Sequence, residues 1–240
     1  QNPKLLQRIL EGPHGYFRFI NRAFAEAVCV RFRDDLGGIP NVNLHGDPHL
    51  ENYAITEQGR GLTDFDDATI GPAVLDLVRF GVSIHLACRA NGWEEKAGGM
   101  VGSFLSSYYA ALQNPNLTPH PPELVTRIRA GFTSDRVRSL RADEELMKPL
   151  QGPLENYERP YNQFLNQMAQ RYPDLPPNFF EVKKAGRLQA GIGSALDEKY
   201  LVSVEGATKA HEDDVILEIK EVKDLHGISC ILLSEASPNR

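Results

Sequence analysis

The chain has 240 residues, with 26 Lys and Arg against 32 Asp and Glu, a formal net charge of −6. A hydrophobic share of 41% is that of an ordinary globular protein and argues against disordered, collagen-like and membrane-embedded classes. The acidic balance argues against a general nucleic-acid binder, which needs a dense Lys/Arg surface to displace counterions.

In chain order, the first 36 residues read as helical. Leu5, Leu6, Ile9 and Leu10 share a face, Gly12-Pro13 interrupts, and Phe17, Ile20, Phe24, Val28 and Phe32 recur at helical spacing over 17–36. Short strands are expected at 42–44, 53–56 and 62–65, the last two flanking a turn-rich hairpin loop at 57–61. A strong helix should start at Pro72 and run to about Arg89, followed by helices at 93–113, 122–132, 134–147 and 160–171. Beyond the Pro-rich stretch 173–178 the pattern favours strands at 179–183, 187–190, 199–205 and 215–222. The division expected is a helical part over 1–172, a linker at 173–178 and a β-rich part over 179–240.

Cys29, Cys88 and Cys230 are widely separated and form no CxxC pair, so reduced thiols are expected, Cys29 and Cys88 buried and inert. No signal-peptide pattern is visible in residues 1–15. The most apolar stretch, 73–90, is interrupted by Asp76, Arg79 and His85, so no membrane span and a cytoplasmic location are expected.

The informative segments are His45-Gly46-Asp47-Pro48-His49-Leu50-Glu51-Asn52 and Asp64-Phe65-Asp66-Asp67, where charged groups crowd between apolar strands. Asp47, Asn52 and Asp64 suit phosphoryl transfer: one carboxylate to take a hydroxyl proton, and an amide with a second carboxylate to hold Mg²⁺ against nucleotide phosphates. A metal-dependent hydrolase is a rival, since His45, Asp47 and His49 alternate at period two.

At this point the chain resembles the aminoglycoside-phosphotransferase branch of the protein-kinase-like fold, through His45-Gly46-Asp47…Asn52, Asp64-Phe65-Asp66 and Gly71-Pro72…Asp76-Leu77. The resemblance implies Asp47 as catalytic base, Asn52 and Asp64 as metal ligands, and His45 and Asp76 as buried braces of the loop. A kinase-like site also needs a Gly-rich turn and a strand lysine for the phosphates. Nothing before His45 supplies them, but Gly191-Ile192-Gly193-Ser194 and the Lys220 strand do so later. The order implies a circular permutation.

The same motifs make the chain similar to domain-of-unknown-function family 2252. The matching segments are Tyr16-Phe17-Arg18, Gly46-Asp47-Pro48-His49-Leu50-Glu51-Asn52, Asp64-Phe65-Asp66-Asp67, Asp76-Leu77-Val78-Arg79, Gly191-Ile192-Gly193-Ser194 and Ile219-Lys220-Glu221-Val222. Leu196 stands where a third loop glycine is expected. Glu235 is the only acid placed to pair with Lys220 from a later helix. With Gln1 at the start and Arg240 at the end, this leads to the expectation that the native chain continues.

The fold class expected is thus α+β, protein-kinase-like and circularly permuted, with a helical catalytic lobe before a β-rich nucleotide-covering lobe. The activity expected is ATP-dependent phosphorylation of a small hydroxyl-bearing molecule. ATP and Mg²⁺ are the expected cofactors, with Gly191, Gly193, Ser194 and Lys220 on the phosphates and neither nucleic acid nor membrane as partner. A non-catalytic nucleotide- or partner-binding module and a nucleotidyltransferase use the same residues and stay open. Asp66 and Asp67 would suit a cationic acceptor such as an aminoglycoside.

Overall fold

The computed structural model describes residues 3–56, 59–133, 135–150, 155–188, 198–221, 225 and 227–231. It is a mixed α+β chain in two compact units: Gln1–Phe132 with Lys223–Arg240, and Thr133–Val222.

The first unit opens with helices α1 (Pro3–Leu10), α2 (Pro13–Phe19) and α3 (Asn21–Arg31). Pro13 sits at the first helical position of α2, where its missing N–H costs nothing. The single helix expected over 17–36 is instead bent at Ile20 (φ −92°, ψ 23°) and closes with a 3₁₀ turn at Arg33–Asp35. The amide of Ile20 still donates to Tyr16 O and that of Phe24 to Ile20 O, so the ladder bends without breaking. Around the bend Phe17 and Phe24 meet edge to face at 5.3 Å. Both rings also lie against the Arg79 guanidinium, at 4.2 and 5.2 Å.

Strand β1 (Asn41–Leu44) leads into the acidic loop; β2 (Tyr53–Ile55) and β3 (Arg60–Leu62) form the expected hairpin, β3 ending before Thr63. Strand β4 (Thr69–Pro72) was not expected: it pairs antiparallel with β1, Leu44 opposite Thr69 and Asn41 opposite Pro72. Gly71 permits this, since a Cβ there would lie 3.0 Å from Leu44 Cδ1. Pro72 therefore ends a strand instead of starting a helix, and α4 (Val74–Ala90) follows. Helix α5 (Glu94–Gln113) packs on α4 through Ile84, Cys88 and Ala97, with Phe80, Val101 and Phe104 around them; α6 (Glu123–Ala130) completes the helices of this unit.

A core of Ala25, Val28 and Cys29 from α3, Leu44 from β1 and Leu75 from α4 also takes in Leu225, Ile228 and Ile231. Here the expectation of three reduced thiols is corrected: Cys29 and Cys230 form a disulfide across 201 positions, and Cys88 alone is free and buried. Sequence separation hid the pair, because only packing of the 225–231 segment on α3 brings the sulfurs together.

The second unit contains α7 (Arg136–Leu146), α8 (Glu155–Arg171) and an antiparallel sheet ordered β5 (Val182–Arg187), β6 (Lys199–Val204), β7 (Val215–Lys220). Asp135 caps α7 by accepting the Arg138 amide at 2.9 Å. Helix α8 starts five residues before Pro160, where the sequence pattern had placed its beginning. Tyr157, buried with Tyr161 and Tyr200, holds that first turn by packing. Of the two strands expected at 179–183 and 187–190, β5 overlaps the first and runs on to Arg187, while residues 189–190 of the second lie outside the described residues; Phe180 precedes β5 at φ 70°. The change from helix to strand falls at the Pro-rich stretch, yet the compact units divide elsewhere. Tyr157, Tyr161 and Phe164 of α8 share an aromatic core with Tyr200, Val202 and Val204, so the helix belongs with the sheet. Among the described residues no helix is long and apolar enough to cross a membrane.

Candidate functional site

The loop between β1 and β2 is shaped by backbone needs. Gly46 has φ 84°, and a Cβ there would fall 1.9 Å from the carbonyl oxygen of Asp67, so only glycine fits. Asp76, in the first turn of α4, accepts the amides of His45 (2.7 Å) and Gly46 (3.1 Å). Burial pushes its carboxyl up while those two N–H groups oppose the rise. His45 is buried; its Nε2 lies 2.8 Å from Thr63 O, and its Nδ1 accepts the Asp47 amide at 3.3 Å. A carbonyl only accepts and an amide only donates, so the ring is neutral with its proton on Nε2. Asn21 of α3 adds a further clamp, donating to Gly46 O at 3.1 Å and Asp67 Oδ2 at 2.8 Å.

Asp47 projects from this braced loop. Its Oδ1 accepts Arg79 Nε at 2.5 Å, while Oδ2 lies 3.9 Å from His49 Nε2, beyond hydrogen-bonding reach. Burial pushes the Asp47 carboxyl up to about 6, against the opposing pull of the Arg79 charge and hydrogen bond. Arg79 is itself 2% exposed, donates from Nη2 to Phe17 O at 3.3 Å and is moved down by burial. His49 is fully buried, and among the described residues neither of its ring nitrogens has a hydrogen-bond partner. Burial, joined by Arg18, Arg79 and His14, lowers its pKa to about 3 and keeps it neutral. Arg18, in the Tyr16-Phe17-Arg18 segment, reaches Glu51 at 2.7 Å and so ties two distant motifs together.

Asn52 donates from Nδ2 to Asp47 O at 3.2 Å, and its own carbonyl accepts the amide (2.8 Å) and the hydroxyl (3.1 Å) of Thr63. Thr63 therefore staples the loop just ahead of Asp64, which stands exposed at φ 64°. That left-handed turn is tolerated by aspartate better than by most side chains. Asp47, Asn52 and Thr63 thus lie on one hydrogen-bonded framework, with Asp64 next in the chain. The oxygens of Asp47, Asn52 and Asp64 are the hard donors that Mg²⁺ prefers; it takes one or two protein ligands and completes its shell from water and phosphate. By the chemistry of its oxygens the donor set fits that cation. Among the described residues no three His, Cys, Asp or Glu side chains converge as a metal centre. The His45–Asp47–His49 hydrolase arrangement fails on geometry, since both nitrogens of His45 are spent on backbone groups.

Lys220 belongs to the second unit, at the end of β7, where its Nζ lies 4.0 Å from Glu218 Oε1. Gly191, Gly193 and Ser194 lie outside the described residues, as does Glu235. Two contributors were given no role from the sequence. Arg79 stood in the Asp76-Leu77-Val78-Arg79 segment, and its place on a largely apolar helix was the available signal. Asn21 offered none.

Residues 3–130, more than half of the chain, match the family described as "Uncharacterized protein conserved in bacteria (DUF2252)". The chain belongs to that family. The matched span contains the braced loop and the Asp64 turn but neither residues 191–194 nor Lys220. No curated protein and no solved structure matches the chain.

Proposed function

We propose that the protein is a kinase-like phosphotransferase, a circular permutation of that fold, which moves the γ-phosphoryl group of Mg-ATP to a hydroxyl of a small molecule. The observation that carries this reading is the hydrogen-bonded framework that joins Asp47 and Asn52 to Thr63, the residue before Asp64. Asp47 is the base: Oδ1 is anchored by Arg79, which leaves Oδ2 to accept the hydroxyl proton, and a carboxyl raised to about 6 is better matched to that task near neutral pH than an ordinary one. Asn52 and Asp64 are the side chains to hold Mg²⁺, which would neutralise phosphate charge. Lys220 and the segment with Gly191, Gly193 and Ser194 are assigned to the phosphates.

A second reading rests on the 2.5 Å contact between Arg79 and Asp47, which satisfies the supposed base within the protein and favours a non-catalytic nucleotide-binding module. The experiment is calorimetric titration of Mg-ATP, followed by turnover with γ- and α-labelled ATP. The phosphotransferase reading expects binding that Asp64→Asn weakens about tenfold or more and γ-label transfer that Asp47→Ala abolishes. Binding with turnover unaffected by Asp47→Ala would sink the assignment of the base, and α-label in the product would make the protein a nucleotidyltransferase.

A further inference from the structure

Helix α5 carries no charged residue from Ala97 to Gln113, although most of those positions are exposed. A surface helix ordinarily turns a charged face to water. One side of α5 is used within the chain, where Ala97, Val101 and Phe104 pack with Ile84 and Cys88 of α4. Successive helical residues advance by about 100°, so Gly98, Gly102, Leu105, Tyr109 and Leu112 form a second stripe beside the first, about 80° wide. Its three large side chains, Leu105, Tyr109 and Leu112, are exposed by 42, 64 and 60%. Single exposed apolar side chains are commonplace; three on one stripe of an uncharged helix make a continuous apolar face. The two glycines have no use inside the chain. A Cβ at either would meet nothing within 4 Å, yet glycine weakens a helix relative to alanine. What they supply is a groove at the N-terminal half of the stripe, while the projections stand on its C-terminal half.

We propose that this stripe is the contact surface for a second copy of the same chain, which forms a weak antiparallel dimer about a two-fold axis at Leu105. The stripe complements itself in that arrangement. Gly98 and Leu112 lie equally far along the helix from Leu105, about 10 Å, and Gly102 and Tyr109 lie at about 4.5 and 6 Å. An antiparallel partner therefore lays its Leu112 over Gly98 and its Tyr109 over Gly102, projections into groove at both ends. Parallel pairing would set groove against groove and Tyr109 against its own counterpart. The lack of charge suits a two-fold contact, since a charge near the axis would face its own copy. A helix of 20 residues is about 30 Å long, and pairing it with its copy removes on the order of 600 Å² of surface from each chain. The total of about 1,200 Å² is the lower limit for specific association, which is why the dimer is a weak one.

The test is sedimentation equilibrium of the full 240-residue chain from about 1 μM to about 1 mM, where a monomer–dimer equilibrium is expected. Gly102→Gln fills the groove, meets nothing in the monomer and favours the helix, so it should weaken the dimer about tenfold or more without lowering Tm. Leu105→Glu sets like charges across the axis and should do the same. Register is read by a short bismaleimide, with the wild-type chain, whose free Cys88 is buried, as the control. Leu105→Cys should link to its own counterpart. Gly98→Cys should link to Leu112→Cys in a mixture and not to itself, because the axis holds the two copies of position 98 about 20 Å apart. A chain that stays monomeric throughout overturns the proposal and leaves the face to a partner of another kind. A dimer equally strong in Gly102→Gln and Leu105→Glu overturns it too, as does preferential linking of Gly98→Cys to itself.

Discussion

Asp47 and Asp214 are acidic side chains withdrawn from water, one in each compact unit, and their surroundings drive them in opposite directions. Asp214 is fully buried but accepts Lys183 Nζ on both oxygens (2.9 and 2.7 Å) and His211 Nδ1 at 2.7 Å. Its backbone carbonyl takes Arg136 Nη2 at 2.7 Å. Burial alone would raise its pKa, but the Lys183 and His211 bonds outweigh that and hold the carboxyl below its ordinary value. Asp47 is slightly exposed, has one arginine on one oxygen, and is raised to about 6 because burial wins. The number of donors decides the outcome: three side-chain donors make Asp214 an anchor for the β6–β7 connection, whereas Asp47, bonded by one arginine on one oxygen, is left with burial as the stronger influence.

Breaking the Cys29–Cys230 disulfide should separate the two units most strongly. By chain entropy, a closure of 201 positions stabilises by up to about 5 kcal/mol. A thiol reductant or Cys230→Ser should lower hydrogen-exchange protection in α3 and β1 and leave the sheet bearing Asp214 unchanged; uniform loss would show that the units do not unfold separately. Next in size, Asp214→Asn should destabilise the second unit by about 2–3 kcal/mol, since its partners lose charge-assisted bonds. Asp47→Asn should cost the first unit only about 1–2 kcal/mol, because asparagine still accepts from Arg79 Nε and the guanidinium keeps Phe17 O and two aromatic faces. Denaturant unfolding of both variants checks the order.

The pH dependence of stability carries the comparison further. Asp47 binds its proton more tightly folded than unfolded, so its contribution is full below about pH 4 and is lost as pH rises to about 6. His49 does the reverse: held neutral to about 3, it adds stability as pH rises from about 3 to the ordinary histidine value. The two oppose each other between about pH 4 and 6, each by at most about 1.4 kcal/mol per pH unit. Wild type should be nearly flat there, and Asp47→Asn should unmask the rising His49 limb in melting temperature against pH. Asp214, with its lowered carboxyl, contributes above the ordinary carboxylate range and loses that contribution as pH falls. The smallest effect expected is for Arg18→Gln, which breaks a partly exposed pair with Glu51 and should change stability by less than about 1 kcal/mol.

Much of the local architecture was legible because it rests on short-range rules. The helical repeat located α4, α5 and α8 within a few residues, the turn-rich 57–61 segment announced the β2–β3 hairpin, and the strand pattern at 199–205 and 215–222 located β6 and β7. Spacing also brought Asp47, Asn52 and Asp64 forward as a set, since a tight loop and a hairpin strand are local devices. Strand β4 was hidden because its residues show no alternation and acquire strand geometry only by pairing with β1. Arg79 was hidden as a functional contact because thirty-two positions separate it from Asp47, and the disulfide because two hundred and one separate its sulfurs.

The sequence by itself determined most of the helices, the β2–β3 hairpin, the loop chemistry and the membership of the family, because these depend on residues near one another in the chain. Only the tertiary structure decided which charges meet, which helices accompany the sheet, and which oxygen of Asp47 is bound by Arg79. Those outcomes depend on packing that removes side chains from water, and desolvation is a property of the folded surroundings that no single segment carries.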